Sequence, residues 1–219
     1  MMEQPVTQMG SRPSSLFDTL RAEEETFLPD CYVPPAEFAM MSGTRSAVIL
    51  GQTGSGKTAL AQAVERHLNP PGAPRRFLVV PWTLPMLMDS ELSGLALVLA
   101  QVGRVMDLVA RALVEHLACY PADWQAAPPW CRERLHWFIR EHLEGDVENL
   151  VQSLDEECAV GGQQLLTHLV ESPPVQVLKP GAPPHLVMQR LLDAWKKMGY
   201  LGIVILMDGV EPWLLIAPD

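Results

Sequence analysis

The chain predicts an α/β fold: a mostly parallel sheet flanked by helices, with a long helical insertion between its strands. Three observations carry that expectation. Apolar runs at 47–50, 76–81 and 201–207 are continuous rather than alternating, as expected of strands covered on both faces. The first half alternates strand, glycine-rich loop, helix, turn and strand, the opening of a doubly wound sheet. From Ser90 onward the apolar spacing changes to steps of three and four, opening a block of roughly eighty residues that reads as packed helices.

Residues 1–26 are a leader, polar and proline-containing at its start, with a short helix at Leu16–Glu25 that ends in a solvated acidic run. No apolar signal region is present in it. Residues 27–219 form one domain, with a core at 27–88 and 185–219, a helical insertion at 89–172 and a proline-rich linker at 173–184. Within the core, 27–38 is stiffened by prolines, each of which fixes its own φ and pushes its predecessor out of the helical region. Leu60, Val64 and Leu68 place an apolar stripe on the helix that follows the glycine-rich loop. Asn69–Pro74 breaks the chain before the strand at Arg76–Pro81, which Trp82 bounds.

In the insertion, Leu92, Leu95, Leu99, Val102, Met106, Val109 and Leu113 form an apolar seam on a helix of some seven turns. A proline turn at Pro128 and Pro129 leads to a helix at Arg132–Leu143, with Leu135, Phe138, Ile139 and His142 on one side. Val147, Leu150, Val151 and Leu154 continue the helical spacing, Gly161 and Gly162 break it, and a short helix follows at Gln163–Val170. After the linker, His185–Met198 is an amphipathic helix with Leu186, Met188 or Gln189, Leu192 and Trp195 along it, capped by Gly199.

Composition narrows the function classes. Nearly half of the 219 residues are apolar, which supports a packed core. A net charge of −10 argues against a general nucleic-acid surface, which needs a basic stripe. Cys31, Cys119, Cys131 and Cys158 have no C-x-x-C spacing and fit reduced packing thiols, so a cytoplasmic protein is expected. The most apolar stretch, Leu92–Ala100, is about half the length that crosses a bilayer. The histidines match neither H-E-x-x-H nor zinc-finger spacing and are expected in the core or on the surface.

One stretch carries chemistry. Gly51-Gln52-Thr53-Gly54-Ser55-Gly56-Lys57-Thr58 satisfies the spacing G-x-x-x-x-G-K-[ST] of a phosphate-binding Walker A loop. Glycines at 51, 54 and 56 let the backbone turn its N–H groups inward around phosphate oxygens. Lys57 supplies positive charge for the β and γ phosphates, Thr58 a hydroxyl for Mg²⁺, and the helix starting here, with Ala59 in its first turn, its positive end. At the far end of the chain, the apolar run Leu201–Met207 delivers Asp208 to a strand's carboxyl end, where α/β sheets bind ligands. Asp208 is therefore the candidate for holding Mg²⁺, and Glu211 for polarising an attacking water. Capping of the turn by Asp208 and simple solvation of Glu211 are the structural alternatives.

The two motifs, Gly51–Thr58 and Ile203–Asp208 with Asp-Gly-Val-Glu after the strand, resemble those of P-loop NTPases of the additional-strand division, nearest to AAA+ and STAND ATPases. The resemblance covers residues 27–82 and 185–213 and implies a three-layer P-loop sandwich, ATP and Mg²⁺ as ligands, and an adenine contact from Tyr32 and Val33, unless 27–38 is only a surface strap. Lys57 and Glu211 would be the catalytic groups. In that division a strand carrying a polar sensor residue follows Walker B, yet only eleven residues follow Asp208, so the resemblance implies the N-terminal part of a longer ATPase. ATP hydrolysis coupled to a conformational change is the leading expectation. A nucleotide-binding switch or interaction module without turnover is the second, with the insertion as the surface for a protein partner or a second copy. A small phosphotransferase is the third; a GTPase is disfavoured because no Asn-Lys-x-Asp motif occurs.

Overall fold

The computed structural model describes residues 33, 35, 38, 56–83, 94–143, 145–172 and 175–208. The chain divides into two compact units, 1–64 and 65–219. Helix α1, Lys57–Leu68, begins in the first and ends in the second. In the first unit, Phe38 N–H donates to the Pro35 carbonyl at 3.0 Å. Ala59, Leu60 and Val64 are buried on α1, as the stripe at Leu60 and Val64 predicts.

The second unit is mixed α/β and mostly helical. Strand β1, Phe77–Thr83, pairs in parallel with β2, Gly202–Asp208. Between them lie α2 (Gly94–Cys119), α3 (Pro121–Ala126), α4 (Pro129–His142), α5 (Val147–Gln152), α6 (Glu156–Glu171) and α7 (Pro184–Lys197). Parallel neighbours need such a crossover, because the chain must return to the starting edge before the second strand begins. Asn69 fixes the entry to β1: its Oδ1 accepts from the N–H groups of Arg76 and Phe77 at 3.0 and 3.1 Å, and its Nδ2 donates to the Phe77 carbonyl at 2.9 Å. Pro81 lies within β1, a position that proline occupies at sheet edges because it has no N–H to donate.

The core is built around α2, which packs on β1, α4 and α6; α7 packs on α4 and β2. Val109, Ala110, Leu113, Val114 and Leu117 of α2 are fully buried, together with Leu135, Phe138 and Ile139 of α4 and Trp195 of α7. The seam expected along α2 is therefore a core seam from Met106 onward, while Leu95 and Leu99 in its first turns are 72% and 54% exposed. The α4 face is as expected, with Leu135, Phe138 and Ile139 inward.

Four expectations are corrected. Gly161 and Gly162 do not break a helix: both are buried inside α6. They allow close approach, since a Cβ at Gly161 would stand 2.0 Å from the Ala118 carbonyl oxygen of α2. Glycine in a helix costs about 1 kcal/mol, and the contact offsets that cost. Cys119 and Cys158 are not separate thiols but form a disulfide, with Cα atoms 4.4 Å apart at the end of α2 and the first turn of α6. Cys131 is the free thiol among the described residues and is buried, as a packing residue should be. The inward face of α7 is Val187, Leu191, Ala194 and Trp195, one position off the expected stripe apart from Trp195, and Leu186 is 39% exposed. Finally, Ile203–Leu206 are half-buried rather than fully covered.

Candidate functional site

The glycine-rich loop meets α1 at Gly56. Its φ of +85° lies in the left-handed region that favours glycine. Its carbonyl accepts the first helical hydrogen bond, from Leu60 N–H at 2.9 Å, so Gly56 is the residue from which the helix starts. Lys57 and Thr58 are then its first two residues, both half-buried, with Ala59 buried behind them. The first turn carries no acidic residue to offset the positive end of the helix dipole, while Arg66 and His67 stand in the last turn, at its negative end. Gly51, Gln52, Thr53, Gly54 and Ser55 lie outside the described residues.

At the other motif, Asp208 is the last residue of β2, and the register sets it opposite Thr83, the last residue of β1. Both parallel strands thus end together, at the edge where α/β sheets place ligands. Thr83 was not singled out from sequence, since only the register brings it beside Asp208. Glu211 and Tyr32 lie outside the described residues, and Val33 is 85% exposed.

At the opposite, amino end of β2 is a polar cluster that no motif signals. Tyr200, two residues before the strand, donates its hydroxyl hydrogen bond to Asp123 of α3 and sits 2.5 Å from His116 Nε2 of α2. With the phenol donating to Asp123, its oxygen accepts from His116, so the neutral ring carries its proton on Nε2. The Tyr200 ring stacks on Trp195, with centroids 3.9 Å apart, and Trp195 Nε1 donates to the Gly202 carbonyl at 3.2 Å. Burial pushes the His116 pKa down to about 4, against the opposing pull of Asp123. Burial also raises the Tyr200 pKa, and the Asp123 carboxylate raises it further. This cluster anchors the entry to the strand that ends in Asp208.

The remaining histidines of the insertion divide between core and surface, and His168 is exposed. His136 is buried and His142 half-buried, and burial lowers the pKa of each. Among the described residues, no three His, Cys, Asp or Glu side chains gather as a metal-ligand group, and no helix is long and apolar enough to cross a membrane. No protein-family model matches the chain, and no curated protein or solved structure matches it either.

Proposed function

We propose that the chain binds ATP with Mg²⁺ and hydrolyses it to drive a conformational change, within a P-loop sandwich of the AAA+/STAND type. The observation that carries this reading is the coincidence of the Gly51-x-x-x-x-Gly56-Lys57-Thr58 spacing with a helix that starts at Lys57, straight after a glycine of positive φ. A fortuitous glycine turn has no reason to end at a helix whose first two residues are lysine and threonine. The placement of Asp208 at the carboxyl end of a parallel strand is the second support.

The residues present suit the group. Amide N–H groups of the loop and the first turn of α1 bind the phosphates, and Lys57 neutralises charge on the β and γ oxygens. Thr58 and Asp208 are the residues that would hold Mg²⁺, which when bound draws charge from the transferred phosphoryl group. Glu211 orients a water for in-line attack and takes its proton. The contribution of the protein is positional and electrostatic.

Thermal unfolding tests the reading. Mg²⁺-ATP at about 100 times its Kd adds roughly 2.7 kcal/mol of stability, a rise on the order of 5–10 °C for a chain of this size. Lys57→Ala should abolish that rise, and an unchanged melting temperature with wild-type protein would refute nucleotide binding. Phosphate release that survives in Glu211→Gln would remove that residue from the mechanism. A switch without turnover is the second reading, favoured by the exposed Leu95, Val98 and Leu99 at the start of α2, which offer an apolar face to a protein partner or another copy. Nucleotide-dependent stabilisation without phosphate release is its signature.

A further inference from the structure

The Cys119–Cys158 bond lies where helix packing has already brought its two ends together. Cys158, Gly161, Gly162 and Leu165 follow one another at i, i+3, i+4 and i+7 along α6, on the face that meets the end of α2. Gly161 lies against the Ala118 carbonyl, and Ala118 directly precedes Cys119. A Cβ at Gly162 would stand 2.8 Å from Leu154 Cδ1 and 3.0 Å from Val151 Cγ1, so α5 closes on the same contact. The sulfurs are therefore neighbours because two glycines let the helices touch. Cys119 is exposed and Cys158 half-buried, so a dissolved thiol can reach the bond.

We propose that Cys119–Cys158 is a reversible redox strap, opened by a monothiol of the glutathione class and reclosed by its disulfide, that tightens the junction of α2 and α6. A thiolate attacks the sulfur of Cys119, the more exposed of the two residues, forms a mixed disulfide and releases the Cys158 thiolate, which takes a proton. A second thiolate attacks the mixed disulfide, frees Cys119 and leaves as the oxidised monothiol. Two electrons pass from two small thiols to the strap, and the reverse sequence returns them.

Its mechanical output is the entry to β2. Cys119 ends the last turn of α2, and that turn carries His116, which bonds Tyr200 just before the strand. Opening the strap loosens that turn, and with it the anchor of the strand that ends in Asp208. The inference does not rest on nucleotide binding, and its readouts use none.

The test equilibrates the whole folded chain in buffers of reduced and oxidised glutathione, quenches with an alkylating agent and counts modified cysteines by mass. The oxidised fraction should follow the buffer and give one curve from both directions. Reduction should lower the melting temperature by on the order of 10 °C, because it restores the chain entropy that the closed loop removes. It should also speed amide exchange at Tyr200–Ile203 several-fold, while Cys119→Ser ignores the reductant. Gly161→Ala, which forces the helices apart, should shift the curve toward more oxidising buffer. A bond that survives every reducing buffer while the chain stays folded overturns the proposal, as do thiols that alkylate freely in oxidising buffer. A curve unmoved by Gly161→Ala overturns the role of the glycine contact, and unchanged exchange at Tyr200–Ile203 overturns the coupling to β2.

Discussion

Acidification is the most direct probe of the cluster that anchors β2. His116 is buried at 5% exposure, and its imidazole is held neutral by its surroundings, with a pKa of about 4 against an ordinary 6.5. Burial is the main cause; Asp123 pulls the other way and Arg75 adds to the depression. Because the folded value lies below the unfolded one, the unfolded chain takes up the proton first as the pH falls. The stability held above pH 6.5 is therefore lost progressively toward pH 4. A difference of two and a half pH units at about 1.36 kcal/mol each makes the full loss on the order of 3 kcal/mol, most of it gone at pH 4.5.

His136 and His142 also resist protonation, so the raw pH profile reports more than one site. Comparison with His116→Gln isolates the effect, because the amide keeps a donor for Tyr200 and does not titrate. Urea unfolding of both proteins from pH 7.5 to 4.5 should show wild type losing on the order of 2–3 kcal/mol more than the variant. An NMR titration of the His116 ring should give a midpoint near 4. Parallel stability losses in the two proteins, or a midpoint at 6.5 or above, would refute the idea that the buried network keeps His116 neutral.

Three further outcomes can be measured, two on Tyr200 and one on Asp208. Tyr200→Phe leaves His116 Nε2 and the Asp123 carboxylate without their shared phenol, and should cost about 1–3 kcal/mol in urea unfolding. Since the Tyr200 pKa is raised, its contribution holds at neutral pH and falls as the pH rises past that of an ordinary phenol, which phenolate absorbance during alkaline unfolding should register as a late-titrating group. Asp208→Asn should leave nucleotide-induced stabilisation in EDTA unchanged and remove the additional stabilisation that Mg²⁺ brings, measured by thermal unfolding; retention of the Mg²⁺ effect would remove Asp208 from the metal site.

Much of the helical architecture was legible in the sequence, because helical periodicity and caps are settled within one or two turns. The inward face of α4, the glycine cap after α7 with its φ of +98° at Gly199, and the start of α1 after Gly56 are of this kind. The α7 stripe was misplaced by one residue because Leu186 and Leu192 form as regular a pattern as Val187 and Leu191; packing on α4 and β2 decides between them. Gly161 and Gly162 were misread for a related reason. A glycine pair resembles a break when only its own chain is considered, and becomes a contact once α2 lies against it.

By itself, the sequence determined the phosphate-loop spacing, the positions of most helices and the apolar runs that become β1 and β2, since each depends on neighbours in the chain. The tertiary structure alone decided the register that sets Thr83 beside Asp208, the joining of Cys119 to Cys158, and the meeting of His116 with Tyr200. Those pairs are separated by tens of residues, and no local preference encodes them. They form because burying the faces of α2, α4, α6 and α7 in one core brings distant segments within a few ångströms, where hydrogen bonds and sulfur chemistry operate.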